Sequence, residues 1–98
     1  MPLDDSKTNI ISGHAQRLLG SRDWPKTICP SEIARALSKE ELDLLNASEW
    51  RETMDDIREW VWQRRELGEV EVLQKGQVAA VARLEDIRGP IRVRATRV

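Results

Sequence analysis

At Gly68 the apolar period of this 98-residue chain changes, and that change limits what it can fold into. Before it, Trp50, Met54, Ile57 and Val61 recur at three- and four-residue intervals. At roughly 100° per residue, these four fall within about 60° of one another on a helix. After it, Glu69-Val70-Glu71-Val72 alternates polar and apolar, the pattern of a strand with one buried face. A chain this short supports one core, so a long helix and the strands must share it. The expected class is α+β, a single domain over 1–98 with residues 1–5 as a loose leader.

The remaining elements follow from local signals. Ile10, Ile11, Ala15, Leu18 and Leu19 form one helical stripe. That helix is expected to start at a Ser6 or Thr8 cap and to stop at Gly20 in the left-handed conformation. Gly13, inside it, costs about 1 kcal/mol against Ala and suggests a close helix crossing. Thr27-Ile28-Cys29 is a short β-prone run, closed by Pro30, which cannot donate to a ladder. Ser31 is the expected cap of a second helix over 32–37, and Ser38-Lys39-Glu40-Glu41 is a capping box for a short third one. Ser48 and Gly68 bracket the long helix, predicted over 49–67. Lys75-Gly76 marks a tight hairpin turn, Gln77–Ala80 the returning strand and Ile91–Arg94 a third, with Arg92 and Arg94 on one face. Residues 81–88 have no clear period.

Helix, short strand, two helices with a short extra one, then a β-hairpin and a further strand is the order of a winged helix. The predicted fold is a three-helix core with an extra short helix and a small antiparallel sheet.

Several function classes are excluded on composition. No apolar run approaches the roughly 18 residues of a membrane span, and the start does not resemble a signal peptide. One cysteine, Cys29, rules out an intrachain disulfide, and one histidine leaves no zinc cluster. A cytoplasmic protein without cofactor or metal is the expectation. Overall charge is near neutral, at −1, but unevenly spread. Residues 1–74 carry 10 basic and 15 acidic side chains, whereas residues 75–98 carry 6 and 2. That asymmetry suggests an anionic partner at one end of the molecule.

Certain residues resemble a known family. Pro30-Ser31-Glu32-Ile33-Ala34-Arg35-Ala36-Leu37, Trp50-Arg51 with Met54, Ile57-Arg58, Gly68 and Gly89-Pro90-Ile91-Arg92 are similar to a family of short bacterial proteins known only as a domain of unknown function. The similarity covers about 27–95. It implies a winged-helix-like fold and no particular activity.

Catalytic chemistry has little to stand on. His14 lies beside the stripe of the first helix and reads as a half-buried structural residue. Cys29 precedes a helix N-terminus, where a thiol can acidify, yet it reads as a small apolar residue of the first strand. No phosphate-loop, zinc-protease or paired-cysteine motif occurs, so no enzyme is expected.

Nucleic-acid binding is the sharper expectation. On the long helix Arg51, Arg58, Trp62 and Arg65 share one side, away from the core stripe. Three guanidiniums around an exposed indole would hold phosphates and stack. In a winged helix this element enters the major groove, and Lys75 at the hairpin tip would add a contact. Trp24, Trp50 and Trp60 are expected in or at the edge of the core. Against DNA stand Asp55, Glu59 and Glu66 beside the same stripe and a pI of about 5.9. The alternative is a protein-interaction module, a homodimer burying Trp62 at its interface.

Overall fold

A computed structural model describes residues 4–81 and 83–96. Residues 1–3, most of the expected leader, lie outside them.

Helix α1 spans Asp5–Gly20, α2 Pro30–Ala36, α3 Lys39–Leu44 and α4 Met54–Glu66. Strands β1, β2 and β3 span Val70–Gln74, Gln77–Val78 and Arg92–Ala95. Single 3-10 turns occupy Trp50–Thr53 and Leu84–Asp86. Among the described residues the architecture is thus α+β, with four helices and a small three-stranded antiparallel sheet.

The cap of α1 is Asp4 rather than Ser6 or Thr8, its carboxylate accepting the Lys7 N–H at 2.8 Å. An earlier carboxylate at the positive helix end outcompetes the hydroxyls. Gly20 ends α1 without entering the left-handed region. Instead Ser21 closes the last turn, its hydroxyl donating to the Leu18 carbonyl at 2.7 Å. Gly13 faces open space and serves no helix crossing. At α2 the cap is Cys29, not Ser31, because Pro30 takes the first helical position, where a missing N–H costs nothing. The Glu32 carboxylate reaches back to the Cys29 N–H at 2.7 Å. The box at α3 forms as read, with Glu41 N–H on Ser38 Oγ at 3.1 Å and Ser38 N–H on Glu41 Oε1 at 2.9 Å. The long helix is shorter than its sequence pattern, since its first turn winds as a 3-10 turn over Trp50–Thr53.

Gly68, at φ +77°, releases the chain from α4 into β1. Lys75 and Gly76 both take positive φ, 52° and 79°, as a two-residue type I′ hairpin requires. β1 is central and pairs antiparallel with β2 on one side and β3 on the other. Ile28 extends this sheet as a single bridge to Val93, its N–H donating at 2.7 Å and its carbonyl accepting at 2.8 Å.

The core forms where the helices meet the inner face of the sheet. Ile11, Ile28, Ile33, Ile57, Val61, Val72 and Val93 are fully buried there. Each contributes about 1.5–3 kcal/mol by leaving water. Trp60 joins them, and its indole N–H donates to Ser12 Oγ at 2.7 Å, which satisfies that buried donor. The outer sheet face carries Glu71 and Arg94 directly opposite each other, paired at 3.0 Å. Arg94 also lies over the Trp24 ring, 5.0 Å from its centroid. Trp24 itself is 45% exposed on the loop after α1, outside the core in which it was expected.

Candidate nucleic-acid interface

The five residues singled out in the sequence do not form one surface. Trp62, expected on the solvent side of the long helix, is only 7% exposed. The aperiodic segment after β2 explains this. It folds back across the far side of α4, bringing Ala79, Val81 and Leu84 against the core, so α4 is covered on two sides. Arg65 holds that segment in place. Its guanidinium lies 4.5 Å from the Trp62 ring centroid, and its Nη2 donates to the Val81 carbonyl at 2.7 Å. A homodimer seated on an exposed Trp62 loses its footing.

Arg51 and Arg58 remain accessible in different settings. Arg51 stacks on Trp50 with Arg35, their guanidinium carbons 4.5 and 4.8 Å from the ring centroid, and it pairs with Glu49 at 3.3 Å. Arg58 sits in a hollow of α4 with Asp55, Asp56, Glu59 and Leu84. The surroundings of Arg58 are therefore acidic, and they repel phosphate as much as Arg58 attracts it.

Lys75 belongs to a different arrangement. With Arg88, Gly89, Pro90, Arg92, Gln74 and Leu73 it lines a groove at one end of the sheet. Three of these residues are cationic, and no carboxylate lines the groove among the described residues. Neither Lys75 nor Arg88 forms an ion pair with another described residue. Arg92 is positioned by Thr27, its Nε donating to Oγ1 at 3.0 Å and its Nη2 to the carbonyl at 3.2 Å. The Gln74 amide braces the opposite wall through the carbonyls of Arg88 and Pro90. The sequence signals for this groove were the charge asymmetry along the chain, Lys75 at the hairpin tip and the face shared by Arg92 and Arg94, whereas nothing local joined Arg88 and Arg92 to Lys75, 13 and 17 positions earlier.

Elsewhere, polar side chains serve structure. His14 Nε2 meets the Glu41 carboxylate at 2.8 and 3.0 Å, and Arg17 reaches Nδ1 at 3.1 Å. Glu41 thereby ties α3 to α1. The Ser38 N–H bond holds its carboxyl below the usual glutamate range, and the His14 contact adds to this against the opposing effect of burial. The Cys29 thiol accepts from Ser31 Oγ at 3.1 Å. Among the described residues, no group of three or more His, Cys, Asp or Glu is placed to hold a metal ion. No helix of the described residues is long and apolar enough to cross a membrane.

These observations define a small α+β domain with a basic groove at one sheet end. The chain belongs to the family described as "Protein of unknown function (DUF3253)", which matches residues 8–96. No curated protein matches it.

Proposed function

We propose that this chain is a winged-helix binding module, not an enzyme, and that its partner is duplex DNA held through backbone phosphates. The bridge from Ile28 to Val93 supports the winged-helix reading, since it inserts the segment between α1 and α2 into the sheet formed by the later strands. One observation carries the DNA reading: a groove lined, among the described residues, by three cations and no carboxylate in a chain whose net charge is −1. Lys75, Arg88 and Arg92 are the phosphate contacts of this reading, while Arg51 pairs with Glu49 and Arg58 lies among three carboxylates. Trp62 and Arg65 have no contact role.

The test is fluorescence anisotropy with a labelled random-sequence duplex at about 50 and 200 mM salt. Three phosphate contacts give a slope of log K on log[salt] of about −2.7, at roughly −0.9 per contact. Arg88→Ala is expected to flatten it by about 0.9, and Arg65→Ala to leave it unchanged. Absence of binding at the lower salt would overturn the proposal.

A further inference from the structure

A further concavity, of about 290 Å3, opens between α1, α4 and the adjoining ends of β1 and β3. Its size lies at the lower end of the range for small-molecule sites. Leu19 and Ala95 give it accessible apolar surface above the buried Trp60 and Val70, and Arg64 enters from α4. The Arg64 guanidinium lies over the Trp60 ring, 5.5 Å from its centroid. Its Nη2 donates to Ser12 Oγ at 3.3 Å, the hydroxyl that also accepts the Trp60 indole N–H. One end of the guanidinium is thus fixed against the cleft wall.

The other end is only loosely occupied. Nη1 faces both oxygens of Glu69, each at 3.3 Å. Charge-assisted bonds of this kind normally close to about 2.7–2.9 Å. Glu69 is also half exposed, at 49%, so its carboxylate can turn into water at little cost.

We propose that the cleft binds a small organic monocarboxylate, which takes the place of Glu69 on Arg64 and lays its hydrocarbon tail along Leu19 and Ala95, above the buried Trp60. The chemistry favours a single carboxylate. One anion exchanges for another on a single guanidinium, whereas a dianion would meet the same lone cation with Glu69 still close by. This site stands apart from the DNA reading, and neither depends on the other.

The experiment is a two-dimensional NMR titration with hexanoate, following the Trp60 indole N–H, with hexanol and hexylamine in parallel. Hexanoate is expected to shift that resonance saturably, with Kd on the order of 1 mM. Hexanol and hexylamine are expected to bind at least tenfold more weakly. Glu69→Gln removes the competing carboxylate from an exposed position and tightens hexanoate binding about threefold to fivefold, the size of a half-exposed charge pair. Arg64→Met abolishes the saturable shift. The proposal is overturned by no saturation below about 20 mM, well above the expected Kd, by hexanol matching hexanoate, or by unchanged affinity in Glu69→Gln.

Discussion

The guanidinium of Arg65 caps the indole of Trp62 at 4.5 Å while bonding the Val81 carbonyl, so one side chain both covers an aromatic ring and ties down the segment that buries it. Removing it costs stability. A hydrogen bond from a charged donor and a cation–π contact each contribute on the order of 1–2 kcal/mol. Arg65→Ala is expected to lower unfolding stability by about 2 kcal/mol in a urea melt. Trp62→Ala removes a buried ring and is expected to cost about 3–5 kcal/mol. A solvent-facing Trp62 would give a change below about 0.5 kcal/mol.

Gly13 gives the opposite sign. It sits inside α1 with nothing within 4 Å of where a Cβ would stand. Gly13→Ala is expected to stabilise the protein by about 1 kcal/mol through helix propensity and lower unfolded-state entropy. A higher thermal midpoint checks it, and a lower one would reveal a contact at this face.

Lys75 links stability to binding. It holds φ at 52°, a conformation that strains a side-chain residue by about 1–2 kcal/mol. Glycine relieves that strain but loses about 0.5–1 kcal/mol to unfolded-state entropy. Lys75→Gly is therefore expected to be up to about 1 kcal/mol more stable and yet bind DNA more weakly. Urea melts and anisotropy on the same variant separate the two effects.

Glu41 makes the fold acid-sensitive. Its carboxyl titrates lower in the folded chain than in the unfolded one, chiefly through the Ser38 N–H bond. The unfolded chain therefore binds this proton first as pH falls. The stabilisation is present above the ordinary glutamate value of about 4.3 and is lost as pH falls through the lower folded value. Urea midpoints of the wild type and Glu41→Gln are expected to differ at pH near 7, and the gap to narrow progressively as the pH falls below the ordinary glutamate value. A gap that persists at low pH would assign the effect to packing instead.

Local chemistry settled much of this protein in advance. The Ser38–Glu41 box, the break at Gly68 and the Lys75-Gly76 turn each act within a few residues, so three or four side chains specify each outcome. Alternation likewise placed Val70 and Val72 inward and Arg92 and Arg94 together on the outer face. The candidate interface was another matter. Helical angles placed Trp62 on the side away from the core stripe, but they carry no information about what packs on that side. The covering segment has no period of its own and is held by Arg65 across 16 positions. Arg88 and Arg92 join Lys75 only because β3 pairs with β1. The sequence by itself determined most of the elements and the main apolar stripe of each, through short-range hydrogen bonding and apolar spacing. Only the tertiary structure decided which charges share a surface and which indole is hidden, because those follow from pairings between distant segments.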